Sequence, residues 1–124
     1  MVESEMLYNQ IVPEKKIEKL KKKNVIGESD KVTLLFDNST FLTVKKGLVC
    51  TERSLICFDS KVIEKYDFKD ISSLKFEEVD KETYTYNIVL KLKNGDIKDI
   101  TPKSASNDEM KLIVDIFNKD ILQG

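Results

Sequence analysis

The stretch from Gly47 to Phe76 constrains the fold of this chain more than any other part of its sequence. It reads GLVCTERSLICFDSKVIEKYDFKDISSLKF, and it contains two short runs of β-forming residues, 48–51 and 55–58. The polar residues Glu52 and Arg53 lie between the two runs and suit a two-residue hairpin loop. The stretch therefore predicts an antiparallel meander of three strands.

Both faces of the first hairpin in this meander are apolar. With the two-residue loop, Cys50 lies opposite Leu55 and Leu48 lies opposite Cys57, on one face. The other face carries the remaining side chains of the two runs: Val49, Thr51, Ile56 and Phe58. A strand with one face in water does not need two apolar faces. We therefore expect a core on one side and a cover on the other, which is either a helix or a partner subunit.

The two cysteines, Cys50 and Cys57, are diagonal neighbours in this register, about 7–8 Å apart. A disulfide needs Cβ atoms about 3.5–4.5 Å apart. Two thiols in a chain without histidine also make a poor zinc site. We therefore interpret both cysteines as small apolar residues of the core.

Further strand patterns lie on both sides of the hairpin. Residues 31–37, KVTLLFD, predict a strand, and residues 38–40 predict the turn after it. A second strand is expected to start at 41–44 and to continue through Lys45 and Lys46 into the meander. After the hairpin, residues 61–68 alternate between apolar and polar positions, as a strand does.

The segment from Tyr84 to Leu92 has the clearest strand pattern in the sequence, with one apolar face made of Tyr84, Tyr86, Ile88, Leu90 and Leu92. Asn94-Gly95 predicts a type I′ loop of two residues, since both residue types tolerate positive φ. This loop pairs Leu92 with Ile97. It also brings Asp99 onto the apolar face, which suggests a bulge or a strand end there.

A helix is predicted near the end of the chain, from Asn107 to Leu122. Ser106 and Glu109 have the spacing of a capping box. The helix has one apolar stripe, made of Met110, Ile113, Val114, Phe117 and Ile121. Leu112 and Ile116 fall on a different side of the helix and need a cover of their own.

Two helices are predicted before the first strand. Residues 4–12 suggest a short one, and Pro13 either ends it or opens the next helix. Glu14 to Asn24 predict a lysine-rich helix with a thin apolar stripe, Ile17 and Leu20. A helix that lies on a membrane needs more bulky apolar residues than this, and nucleic-acid binding usually adds arginine and stacking aromatics. We interpret the lysines as a solvated face.

The turns of the central stretch resemble those of bacterial pleckstrin-homology-like (PH-like) domains. In such families the hairpin reads threonine, Asp or Asn, any residue, arginine, leucine. Here it reads Thr51-Glu52-Arg53-Ser54-Leu55, with Ser54 in the place of the arginine. The aromatic–acidic–isoleucine bend of the family has its counterpart in residues 66–71, YDFKDI. The resemblance covers about residues 30–122.

This resemblance implies an α+β fold, in which a bent antiparallel sheet or partial barrel of about 6–7 strands is closed by the C-terminal helix. Residues 1–29 then form an N-terminal helical extension, and residues 30–124 form the PH-like domain. The length of 124 residues suits one such domain. The net charge of −1 creates no overall field for nucleic acid or membrane. Because the acidic start lacks the regions of a signal peptide, we expect a cytoplasmic protein.

The sequence offers little for catalysis. Without histidine, serine–histidine and cysteine–histidine mechanisms are excluded. No phosphate-binding glycine loop occurs, and the carboxylates of residues 77–82 lack the spacing of a calcium loop. We expect no enzyme, with no catalytic residue, cofactor, metal or small-molecule substrate.

The leading functional hypothesis is a PH-like binding or scaffold module that acts through protein contact or self-association. The candidate interface of a homo-oligomer combines the uncovered residues Leu112 and Ile116 with Ile17 and Leu20 of the lysine-rich helix.

Two alternatives stay open. The first is a module that binds anionic lipid of the phosphoinositide type, with Lys45, Lys46 and Arg53 as candidate anion-binding residues and Asp37 opposing them. The second is a small inhibitor or immunity-type protein that presents the acidic edge of residues 77–82. We expect no binding of nucleic acid and no membrane association.

Overall fold

The computed structural model describes residues 7–37, 44–59, 61–102 and 105–122. The described elements, in chain order, are β1 (Leu7–Asn9), α1 (Glu14–Lys22), β2 (Val32–Asp37), β3 (Gly47–Thr51), β4 (Ser54–Phe58), β5 (Ile63–Asp67), β6 (Ile71–Asp80), β7 (Thr85–Leu92), β8 (Ile97–Asp99) and α2 (Asn107–Ile116). A 3-10 turn covers Phe68–Asp70, and a π-helical segment covers Phe117–Leu122. The α+β class is confirmed.

The strands form two antiparallel sheets, one of five strands (β1–β5) and one of three (β6–β8). Seven of the eight described strands, β2–β8, lie within residues 30–124, where 6–7 strands were predicted, and β1 is an additional strand before them. No closed barrel is found in the described parts of the chain. The internal contacts divide the chain into two compact units, one that ends at Asp67 and one that includes everything from Phe68 onward. The predicted boundary between residues 29 and 30 stays a prediction.

The hairpin of β3 and β4 has the predicted register, with Leu48 opposite Cys57 and Cys50 opposite Leu55. The hydroxyl oxygen of Thr51 accepts hydrogen bonds from the backbone N–H groups of Arg53 and Ser54, each 3.2 Å long. These bonds hold the two-residue loop in place, which explains the threonine at this position.

Both faces of this hairpin are buried, as its apolar pattern predicts. Leu48, Cys50 and Leu55 are at most 4% exposed on one face. On the other face, Val49 and Ile56 are fully buried in a cluster that includes Leu20, Val25, Ile26, Val32, Leu35, Val44 and Phe58. Helix α1 and the turn after it therefore cover this second face.

The short helix predicted for residues 4–12 is wrong. Residues Leu7–Asn9 form β1, which pairs with β2 so that Leu7 lies opposite Phe36. Tyr8 packs against the cluster under α1, and Gln10 leaves the strand with φ of +69°. A segment this short forms a helix weakly by itself, so pairing with a neighbouring strand decides its conformation.

The prediction that a strand continues through Lys45 and Lys46 is also wrong. Residues 44–46 bend, Val44 has φ of +59°, and β3 begins at Gly47. The turn predicted at residues 38–40 and the strand start at residues 41–43 lie outside the described residues.

In the second unit, the apolar face predicted for β7 is the buried one. Ile88 and Leu90 are fully buried, and they lie opposite Phe76 and Leu74 of β6. The sequence pattern places Tyr84 in this face, but Tyr84 lies in the turn before the strand and is 73% exposed.

The loop at Asn94-Gly95 differs from the prediction by one residue. Ile97 pairs with Lys91 instead of Leu92, and Asp99 lies opposite Val89. The loop closes where the N–H of Leu92 donates to the carbonyl of Asp96 at 2.9 Å, which leaves three residues between them. Gly95 alone supplies the left-handed conformation, with φ of +98°. A three-residue loop with glycine in this position is a common alternative to the type I′ loop, and it takes Asp99 off the apolar face.

The predicted capping box of α2 is confirmed. The N–H of Glu109 donates to the Ser106 hydroxyl at 3.1 Å, and the N–H of Ser106 donates to the Glu109 carboxylate at 3.0 Å. The apolar stripe faces inward, since Met110, Ile113, Val114 and Phe117 are at most 6% exposed.

Phe117 is the largest side chain of this stripe, and its replacement by alanine should destabilise the protein. Phe117 is fully buried, and its ring meets the edge of Phe68 at a centroid distance of 5.7 Å. We expect Phe117→Ala to lower the free energy of unfolding by about 3–5 kcal/mol, measured by urea denaturation. Lys111→Ala, at an exposed position of the same helix, is the control and should change little. A loss below about 1 kcal/mol for Phe117→Ala would contradict the packing described here.

Candidate interaction surfaces

The three residues proposed for anion binding do not form one site. Lys45 and Lys46 are exposed just before β3, and Arg53 is exposed in the loop just after it. The five residues of β3 separate the two positions, which corresponds to roughly 17 Å at about 3.3 Å per residue. An anion therefore meets either the two lysines or the arginine.

A carboxylate lies close to the two lysines. Gly47 pairs with Phe58, so that Asp59 follows at the same end of the hairpin. The pKa of Asp59 is lowered, chiefly because its carboxylate accepts hydrogen bonds from the backbone N–H groups of Lys61 and Val62, and Lys46 adds a smaller electrostatic contribution. The ionised carboxylate of Asp59 weakens the attraction of this surface for an anion.

An ion pair between Lys16 and Asp37 was missed by the sequence analysis. The Lys16 Nζ lies 2.8 Å from the Asp37 Oδ2, and the Asp37 side chain is fully buried. The same oxygen accepts a hydrogen bond from the N–H of Val44 at 3.2 Å. The Lys16 Nζ also lies 5.5 Å from the ring centroid of Tyr8. One lysine of the supposedly solvated helix therefore fixes α1 to the end of β2.

The four candidate interface residues differ in their exposure. Leu20 is fully buried and Ile17 is partly buried, both in the cluster under α1. Ile116 is 9% exposed, whereas Leu112 is partly exposed. The buried side of α2 is therefore wider than the predicted apolar stripe. Of Leu112 and Ile116, Leu112 is the residue that keeps accessible surface. Self-association through these residues stays a prediction.

The two thiols are not poised for chemistry. Cys50 and Cys57 form no disulfide with each other, and Cys50 is fully buried. Burial raises the pKa of the Cys57 thiol to about 12, with a further contribution from the charge of Glu64. Burial also raises the pKa of the Cys50 thiol. Both groups are therefore protonated at neutral pH and are poor nucleophiles.

Large apolar side chains are exposed in both units. Among the described residues, six are between 44% and 85% accessible: Ile11, Val62, Ile63, Val79, Tyr84 and Ile97. Val62 immediately precedes β5 and Ile63 is its first residue, and β5 is the last strand of its sheet. The hydropathy patterns used to locate strands do not identify such residues, because exposure depends on what packs against the strand.

No family model, curated protein or solved structure matches the chain. Within the described residues, no helix has the length and apolar character needed to cross a membrane. The same residues contain no group of three or more His, Cys, Asp or Glu side chains placed to hold a metal ion.

Removal of the buried carboxylate should be costly. We expect Asp37→Ala to lower the free energy of unfolding by about 3–5 kcal/mol, because it leaves the Lys16 ammonium largely buried without its partner. Urea denaturation measures the loss. Glu28→Ala is the matched control, since Glu28 forms the exposed ion pair with Lys21 at 3.9 Å and is 90% exposed. Equal, small losses in the two variants would contradict a structural role for the Lys16–Asp37 pair.

Anionic vesicles should not bind through Lys45 and Lys46. Each lysine near an anionic surface contributes about 1 kcal/mol, and two are too few to hold a protein there. We expect that cosedimentation with phosphatidylserine-containing vesicles is the same for the wild type and for Lys45→Glu/Lys46→Glu. Salt-sensitive binding that this variant loses would support the lipid-binding alternative instead.

Proposed function

We propose that the chain is a non-enzymatic binding or scaffold module with a PH-like fold, and that it acts through protein contact, in the first instance with copies of itself. The order of elements supports the PH-like part of this proposal. Strands β2–β8 are followed by α2, which is the order that the sequence resemblance implies. The register of the β3–β4 hairpin at Thr51-Glu52-Arg53-Ser54-Leu55 supports it as well.

A function without catalysis is supported by the side chains that the protein does contain. The sequence has no histidine, and burial keeps both thiols protonated at neutral pH. Carboxylates are, after histidine, among the most common groups for acid–base chemistry. Among the described residues, the fully buried carboxylate is that of Asp37, and it is paired with Lys16.

The observation that carries the proposal of protein contact is the exposed apolar surface. Single exposed apolar residues are normal on a protein. Here, however, Val62 and Ile63 are 50% and 44% exposed at the start of an edge strand, and Ile11 and Tyr84 are 85% and 73% exposed. Contact with a second chain removes such surface from water, which stabilises the complex by about 25 cal/mol for each Å² buried.

Light scattering of the purified chain tests the proposal. We expect a mass above 14.3 kDa that rises with protein concentration. Dilution should return the mass toward that of one chain, which distinguishes reversible association from aggregation. A mass that stays at 14.3 kDa at every concentration would contradict self-association.

A further inference from the structure

In each compact unit, the most exposed apolar side chain lies close in the sequence to charged residues, and the two sets of charges are opposite in sign. Among the described residues, Ile11 has the greatest exposure in the first unit and Tyr84 in the second, at 85% and 73%. Lysines follow Ile11 along the chain, whereas carboxylates precede Tyr84. Each position therefore combines an apolar group with charges, and the two sets of charges are complementary.

The first surface, the basic helix surface, consists of Ile11, Lys15, Lys19 and Lys22. The three lysines are exposed and are spaced four and three residues apart on α1, so that they share one side of the helix. Glu18 lies among them, and the surface keeps an excess of positive charge. Lys16 and Lys21 do not belong to it, since they pair with Asp37 and Glu28.

The second surface, the acidic hairpin surface, lies at the end of the β6–β7 hairpin. Its apolar residues are Val79, which is 60% exposed, and Tyr84. Its charged residues are Lys81 and four exposed carboxylates: Glu77, Glu78, Asp80 and Glu82. The surface therefore has an excess of negative charge. An anionic membrane or a nucleic acid would be repelled by this surface, and a basic protein surface would be attracted to it.

The backbone at the aromatic residue of the hairpin is held in place before any contact. Tyr84 has φ of +52°, a conformation that is uncommon for a residue with a bulky side chain. Its carbonyl accepts a hydrogen bond of 2.7 Å from the Asn107 side chain at the start of α2. The N–H of Glu82 donates to Asp80 at 2.9 Å in the same turn. A turn fixed in this way loses little conformational entropy when a partner binds.

Neither surface takes part in a salt bridge among the described residues, although the charge of Glu77 also acts on Lys91. The salt bridges within the described residues are Lys16–Asp37 and Lys21–Glu28, and neither uses a charge of the two surfaces. The chain as a whole carries a net charge of only −1. Two oppositely charged surfaces on a nearly neutral chain favour the approach of one copy to another in a defined orientation.

We propose that the basic helix surface of one copy binds the acidic hairpin surface of a second copy. This inference rests on the proposed self-association and names the surfaces that carry it. Ile11 meets Tyr84 and Val79 of the second copy, and the lysines of α1 meet the hairpin carboxylates. Because two different surfaces are joined, the contact is head to tail, and repetition produces a closed ring or an open filament.

Charge reversal tests this arrangement. The helix variant is Lys15→Glu/Lys19→Glu/Lys22→Glu, and the hairpin variant is Glu77→Lys/Glu82→Lys. Each variant alone brings like charges together, so we expect a mass of 14.3 kDa by light scattering. An equimolar mixture of the two variants restores opposite charges at both contacts, and we expect its mass to return to that of the wild type. Added salt should lower the mass of the wild type.

Matched controls separate this contact from general effects of charge. Lys69→Glu/Lys93→Glu reverses two exposed lysines that belong to neither surface and should leave the mass of the wild type unchanged. Tyr84→Ser keeps every charge and should weaken the association, because the apolar contact is lost. Circular dichroism establishes that each variant is folded.

Several results would overturn the inference. A wild-type oligomer that charge reversal does not affect, but that Leu112→Glu dissociates, would place the interface on α2 and leave the proposed self-association intact. Variants that are monomeric alone and remain so when mixed would also contradict it. Vesicle binding that is lost in the helix variant but not in the hairpin variant would assign the lysines to a lipid surface. A wild type that is always monomeric would reject both this inference and self-association.

Discussion

The packing of α1 on the β3–β4 hairpin is the interaction on which the first unit depends. The hairpin has no polar face to expose, so Val49 and Ile56 must be covered. Leu20 of α1 and Val25 and Ile26 of the turn after it supply this cover. The pair between Lys16 and Asp37 adds a fixed point at the edge of the same contact. Without α1, several fully buried apolar side chains of the sheet would meet water, at a cost of about 1.5–3 kcal/mol for each large one.

Much of this could be predicted from the sequence, because the features concerned are local. The hairpin register follows from a loop of two residues between two apolar runs, and the start of α2 follows from the spacing of Ser106 and Glu109. The alternation of β7 identified Ile88 and Leu90 as buried. In each case a few neighbouring residues determine the geometry.

The features that could not be predicted depend on residues distant in the chain or on a choice between similar local structures. Leu7–Asn9 become a strand because β2 offers an edge to pair with. Asn94-Gly95 suit both a two-residue and a three-residue loop, and the difference shifts β8 by one residue. Among the candidate surfaces, the partner of Lys16 needed the folded chain.

Asn118 has a consequence for how copies of this chain can join. Its side chain accepts from the N–H of Leu74 at 3.1 Å and donates to the carbonyl of Leu74 at 2.8 Å. Leu74 lies on β6, an edge strand of the three-stranded sheet, and a single amide thus takes the place that a peptide group of an added strand would occupy. Growth of that sheet from chain to chain is therefore blocked at Leu74 by one side chain. The Asn118 amide therefore protects the β6 edge of this sheet against the addition of a strand from another chain.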